Sequence, residues 1–286
     1  MSIIWGIPYL MIKIAVEGVS VPVLVLARTA VGAAVLLPLA LSRQTVTMVR
    51  NHWKALLGFA FFEIIAAWWL LSDAERHLTS SMTGLLIAAS PIIAAVLDRF
   101  TGGERLGYKR IIGLSIGICG VAVLAGPHIG GSTWPIIEVL LVSLCYAIAP
   151  LIAARYLADA PALPMTAVCL GFAALVYAAP AAATWPSEMP STRVLLALGG
   201  LAVICTALAF IVFFALIREV GAARALVFTY INPAVALAAG VIVLHEPLTA
   251  WNVAALALIM AGCVLATRRH PQAEPEMVTE ATAAPR

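Results

Sequence analysis

Apolar residues run along this chain in long continuous stretches, interrupted at short intervals by clusters of charged or turn-forming residues. Runs of this kind, without the period-two alternation of a barrel strand, predict buried or membrane-spanning helices. Their edges place ten, at about 2–17, 22–41, 54–72, 81–100, 107–126, 136–156, 163–183, 194–217, 223–244 and 251–267. A spanning helix needs about 20 mostly apolar residues. Lipid offers no partner to free backbone groups, which requires each span to satisfy its own hydrogen bonds. From His270 onward the chain turns polar and proline-containing, and 270–286 is expected to be a disordered cytoplasmic tail.

Composition sharpens this picture. Only 11% of the 286 residues are charged and 63% are hydrophobic, whereas soluble domains carry about 25% charge. A soluble fold of this length could not bury that much apolar surface. The first residues, MSIIWGIPYL, lack a basic leader and small-residue cleavage site, so they read as the first spanning helix. The five cysteines all fall in apolar stretches without a CxxC pair, and are expected to be small buried hydrophobes.

The chain also repeats itself. A shift of 142 residues, without a gap, carries Pro8, Pro22, Pro38 and Pro91 onto Pro150, Pro164, Pro180 and Pro233. The same shift pairs Lys13 with Arg155, Gly58 with Gly200, Glu104 with Glu246 and Gly120 with Gly262. The fold expected is therefore all-α integral membrane, with ten transmembrane helices as two inverted five-helix repeats. The repeats span 1–126 and 136–269, joined by a linker at 127–135. Five helices is an odd number, so the second repeat must enter the membrane from the opposite side. The repeat also leaves helix one about seven residues short at its start, from an upstream start codon or an unusually short helix, and the reading favours the former.

The stretches WGIPYLMIKIAVEGVSVPVLVLAR, SPIIAAVLDRFTGGERL and INPAVALAAGVIVLHEPLT resemble the EamA-type transporters of the drug/metabolite transporter superfamily. The resemblance covers nearly the whole chain and is specific for architecture rather than substrate. It implies a secondary transporter in the inner membrane, moving amino acids or related small metabolites by alternating access without ATP hydrolysis, and an exporter is the expected direction. The short first helix and the Asp98–Arg99 pair at the end of helix four depart from the pattern.

Inverted repeats place a transporter's site near the midplane, where the repeats meet. Arg28 and Glu63 lie at lipid depth by count, and charges there are costly and usually functional. They are either a mutually neutralising ion pair, or an anion contact and an amine or proton partner. Pro91 and Pro233 fall near the centres of helices four and nine, where proline kinks a helix and frees a carbonyl. Their neighbours Ser90 and Asn232 either line the cavity as an equivalent polar pair or bond a neighbouring helix. Trp5, Tyr9, Tyr146, Phe210, Phe228 and Tyr230 are candidate cavity aromatics, with packing as the alternative. Trp53, Trp134, Trp185 and Trp251 suit interfacial anchors. Glu104 and Glu246 open helices five and ten, where a carboxylate favours the helix N-terminus; a gate or proton site is the other reading.

No Walker loop, GxGxxG, serine elbow or histidine metal spacing occurs, so an enzyme is not expected, nor any cofactor or metal. The partners expected are a small-molecule substrate, the lipid bilayer and protons as a candidate coupling ion, with no nucleic acid, in a monomer or weak homodimer. A non-transporting scaffold is the rival reading, which the intramembrane charges oppose.

Loop charge sets the expected orientation. Twelve Lys and Arg residues fall in alternate loops and the tail start, against Arg76 and Arg193 in the others, which puts both termini in the cytoplasm. Reporter domains fused after Gly131 and after Arg269 should therefore report opposite sides of the membrane. Finding both on one side would sink the inverted arrangement.

Overall fold

The computed structural model describes residues 1–100, 108–125, 133–221, 228–229 and 231–267. Among them the chain is helical and contains no strand. In order the helices are α1 (Ser2–Gly6), α2 (Pro8–Ala15), α3 (Val21–Ala40) and α4 (Arg43–Ala60), then a π-helical turn, Phe61–Ile65, leading into α5 (Ala66–Ala74). There follow α6 (Ser80–Ile87), α7 (Ser90–Phe100), α8 (Tyr108–Ala125), α9 (Trp134–Tyr156) and α10 (Ala162–Ala183). Helix α11 (Thr192–Ala202) passes through a second π-helical turn, Val203–Leu208, into α12 (Ala209–Val220), and α13 (Asn232–Leu244) and α14 (Ala250–Thr267) complete the set.

Among the described residues six helical stretches are long and apolar enough to cross a bilayer: Val21–Ala40, Arg43–Ala74, Ser80–Leu97, Trp134–Tyr156, Ala162–Ala183 and Thr192–Val220. Four shorter apolar helices accompany them, Ser2–Ala15, Ile111–Leu124, Asn232–Leu244 and Ala250–Leu265. Large apolar side chains stand open on their outer faces, among them Leu39, Leu175, Leu196 and Ile242. In water such a surface would drive association; against lipid tails it is at home. The protein is a multi-pass integral membrane protein. Trp134, Trp185 and Trp251 are exposed at or near helix ends and Trp53 is exposed beside the kink at His52, where an amphipathic ring suits the headgroup level.

The third stretch begins at Arg43, earlier than the sequence suggests. Ser42 caps it by accepting from the Thr45 amide at 3.1 Å, and His52 breaks the helical geometry with φ −123° and ψ 19°. The segment before that kink buries Thr45 and Met48 while Arg43 and Arg50 stay exposed. Its charge density reads as a loop, yet it forms an amphipathic helix. The equivalent approach to α11 carries Pro186 and Pro190, which have no amide hydrogen to continue a helix.

A shift of 142 residues carries α8 onto α14 residue for residue, and the first π-helical turn onto the start of the second. Equivalent helices also pack against each other. Ser20, ahead of α3, bonds Thr184 at the end of α10, with 2.8 Å between their hydroxyls, while Gly32 of α3 faces Leu170 of α10. These two helices run antiparallel. Helices α8 and α14 do the same, with Gly117 against Gly262 and Gly120 against Ile259. Helix α6 opposes α13, the counterpart of α7 under that shift, and is again antiparallel to it, through Gly84 on Ala236 and Ser80 and Ser81 on Gly240. Two apolar clusters fill the interior: one built mainly from α2–α5, α10 and α11, the other from α6–α9 and α14.

Small residues set the α8–α14 spacing. A methyl group on Gly262 would lie 2.5 Å from the Gly117 nitrogen and 2.6 Å from its Cα, where nothing can yield without moving a backbone. Gly262→Leu should therefore destabilise the protein by roughly 1–3 kcal/mol or more, read as a lower melting temperature in detergent. An unchanged melting curve would show that the pair is not close-packed.

Candidate substrate-binding site

Arg28 sits one-third of the way along α3 and is only 5% exposed. Its Nε donates to Thr206 Oγ1 at 3.2 Å, and its guanidinium carbon lies 3.8 Å from the centre of the Trp68 ring. Thr206 is on the second π-helical turn and gives its own proton to the Leu201 carbonyl at 2.9 Å, which leaves the hydroxyl oxygen free to accept. The cation is therefore held by a hydroxyl and an aromatic face rather than by a carboxylate. The expected ion pair with Glu63 is not made: among the described residues only Arg76 and Asp73 form a salt bridge, at 3.1 Å.

Glu63 lies on the first π-helical turn. Its carboxylate has no hydrogen-bond or ion-pair partner among the described residues. Tyr146 of α9 stands in the electrostatic field of both Arg28 and Glu63, and Tyr9 of α2 in that of Arg28. Tyr146 thus lies near both charged residues, and Tyr9 near Arg28 and Tyr146, while Arg28 itself is held by Trp68 and Thr206, which the sequence reading missed. Neither carries a local signal, because tryptophan and threonine are ordinary in membrane helices.

The π-helical turns explain how these groups are aimed. A π-helical turn inserts an extra residue, shifts the register of the helix beyond it and unsettles backbone carbonyls. Side chains take up the slack here. The Tyr177 hydroxyl donates to the Ile65 carbonyl at 2.6 Å, and Thr206 bonds five residues back to Leu201.

Other candidates fall elsewhere. Trp5 and Phe210 come together with Phe213 and Phe228, at centroid distances from Trp5 of 5.9, 4.9 and 5.3 Å respectively. The Asn232 amide faces carbonyl oxygens of Ser2 and Phe228, so its nitrogen donates to both, at 3.3 and 3.2 Å, tying α1 to the start of α13. Ser90 Oγ donates to the Ile87 carbonyl at 2.6 Å. Pro91 is the second residue of α7, after a break at Ala88–Ala89, and Pro233 the second residue of α13. Each proline therefore heads a helix instead of kinking its interior, a position where its missing amide hydrogen costs nothing. Tyr230 and Glu104 lie outside the described residues.

Glu246 does cap a helix N-terminus, though not that of its own helix. Its carboxylate accepts from the amides of Ser80 and Ser81 at 2.7 and 3.0 Å, from the Ser80 hydroxyl at 3.0 Å, and from the Ser81 hydroxyl. It thereby locks the start of α6, 166 residues away in sequence, to the segment between α13 and α14.

Two hollows flank the site. One of about 910 Å³ lies between α4 and α9 and is lined by His52, Lys54, Gly58, Ile152 and Arg155, among others. The second, about 270 Å³, is lined by Ser20, Pro22, Trp69, Asp73, Arg76 and Thr184. Along Arg43–Ala74 and the turn after it, the first hollow takes residues between Asn51 and Gly58 and the second takes Trp69, Asp73 and Arg76, with Glu63 between the two sets. None of Arg28, Glu63, Tyr9 or Tyr146 lines either hollow.

A bundle of apolar helices with buried charge at its centre and hollows above and below defines an α-helical membrane transporter. The chain belongs to the EamA-like transporter family, whose model matches it twice, over residues 1–126 and 133–268. It is 26% identical over 277 residues to the uncharacterized transporter YvbV of Bacillus subtilis (strain 168), covering 94% of this chain and 90% of that protein. The uncharacterized inner membrane transporter YedA of Escherichia coli (strain K12) is 28% identical over 282 residues, 93% of this chain and 87% of YedA. A solved crystal structure shares the fold, with a TM-score of 0.66 at 21% identity over 93% of this chain and 94% of that one.

Proposed function

We propose that this protein is a secondary transporter of zwitterionic metabolites of the amino-acid type, exporting them across the inner membrane. One observation carries the reading. A buried cation, Arg28, and a carboxylate, Glu63, share a neighbourhood with Tyr146 yet do not neutralise each other. A buried charge left without its opposite is costly, and such groups in membrane segments mark substrate pathways. A bound amino acid would complete both, its carboxylate on the Arg28 guanidinium and its ammonium on Glu63, with Trp68, Tyr9 and Tyr146 as walls.

The scaffold reading is that of ten spanning helices in two inverted repeats, 1–126 and 136–269. The antiparallel packing of equivalent helices supports it, as does the double match of the family model. Alternating access then opens one flanking hollow or the other to the charged level. The basic lining of the larger hollow, with Lys54 and Arg155, suits the cytoplasmic side and both termini with it. Export is supported by a further relative, the "Probable terminal-alkyne amino-acid exporter" of Streptantibioticus cattleyicolor, 28% identical over 164 residues and 53% of either chain.

Proteoliposomes loaded with a panel of labelled amino acids test the assignment. Efflux of at least one zwitterion is expected. Arg28→Leu should raise its KM about tenfold or more, the equivalent of losing one charge-assisted bond, and Glu63→Gln should leave a folded protein with little transport. Full activity in the double variant Arg28→Leu, Glu63→Leu would overturn the zwitterion reading.

A further inference from the structure

Glu75 follows the last residue of α5 and is fully buried, and neither of its carboxylate oxygens has a hydrogen-bond partner among the described residues. Donors nearby are few and mostly committed elsewhere. The Lys13 ammonium on α2 donates to the backbone oxygens of Glu75 and Leu78, each at 2.7 Å, and forms no ion pair with the carboxylate. On α6 the Thr83 hydroxyl donates to the Thr79 carbonyl at 3.1 Å, although it also lies close enough to favour the Glu75 carboxylate, and Ser80 and Ser81 are taken by Glu246. The charged and titratable groups facing Glu75 are therefore Lys13 and Tyr9 from α2 and Glu246 from the segment after α13. From α9, Glu138 faces Asp73 on the helix that carries Glu75.

We propose that Glu75 is a proton-binding site that couples this transporter to the proton gradient, linked to the Arg28 site through Tyr9. An ionised carboxylate with at most one shared hydroxyl donor is untenable at that burial, whereas the neutral acid needs only one acceptor. Burial pushes the Glu75 carboxyl well above the usual carboxylate range; Lys13 and the Thr83 hydroxyl oppose the rise and Glu246 adds to it. When the proton leaves to water, the new carboxylate attracts the Lys13 ammonium away from the two carbonyls that clamp α2 to the α5–α6 turn. Tyr9, on that same helix, lies in the field of both Glu75 and Arg28, so the shift reaches the substrate level. The proposed route for the proton runs along α5 and α9, which pack together. Among the described residues the other buried side-chain atoms without partners, on Ser72, Glu138 and Ser143, belong to these two helices. Such atoms are satisfied by ordered water, and Asp73, beside Glu138, lines the smaller hollow.

The proposal rests on the transporter reading, but its first test needs no substrate. Infrared spectra of the full-length protein in lipid should show a protonated-carboxyl stretch at neutral pH that fades as the pH is made alkaline. That component should persist in Glu63→Gln and vanish in Glu75→Gln, a neutral isostere that should fold and melt like the wild type at neutral pH. Retention of the whole band in Glu75→Gln would overturn the assignment. So would failure of that variant to assemble, because the site is proposed to hold a neutral group. The second test uses whichever amino acid of the panel is transported. An imposed pH gradient should drive its flux in the wild type and fail to drive it in Glu75→Gln, which keeps gradient-free exchange. Equal drive in both would separate Glu75 from coupling while leaving the zwitterion site intact.

Discussion

A polar group inside a bilayer has no bulk water to turn to, and the arrangement of this protein follows from how each such group is settled. The carbonyls unsettled by the first π-helical turn are met by the Tyr177 hydroxyl, and those before the second by Thr206. The open amides at the start of α6 are met by Glu246, and the open carbonyls after α5 by Lys13. All of these except Thr206 reach across long sequence separations, so each satisfied backbone group is also a strut between distant helices. Loss of one would expose a backbone dipole to hydrocarbon, a penalty larger than the bond itself is worth in water.

Close approach is the second consequence. Without a hydrophobic drive between helices in lipid, packing has to come from contact, and small residues permit it. The Gly117–Gly262 contact joins helices of equivalent position in the two halves, and the Gly84–Ala236 contact joins α6 to α13, the counterpart of α7. Gly120 and Gly262 are counterparts under the 142-residue shift, so the duplication supplies a small residue to both α8 and α14.

Much of the scaffold was legible from the chain, and the reasons are physical. Hydropathy located the long stretches because lipid selects for composition over about 20 residues. It failed at Arg43–Asn51, where an amphipathic helix carries the charge of a loop, and at the helix break before Pro91, because a proline at a helix start and one inside a helix look alike in sequence. Arg28 and Glu63 stood out as charges at lipid depth, and the structure places them in one neighbourhood. Their separation was not legible, since the π-helical turns that set it arise from ordinary residues such as FFEII and VICTAL. Glu75 was hidden for a different reason. It sits in the polar run SDAERH, which reads as a solvated loop, and only the packing of α2, α6 and the segment bearing Glu246 buries it.

The charged residues break the symmetry that the scaffold keeps. Under the 142-residue shift Arg28 corresponds to Leu170, Glu63 to Cys205 and Glu75 to Ile217. The second half answers the first half's charges with neutral groups: Thr206 receives the Arg28 bond, Leu170 packs on Gly32 in the helix that carries Arg28, and Cys205 meets Met11. Had both halves kept the charges, a second cation at the fully buried position of Leu170 would share the low-dielectric interior with Arg28, where repulsion is strongest. One charged and one neutral half avoids that cost, so the repeat preserves the helices while the charge is kept on one side of the duplication only.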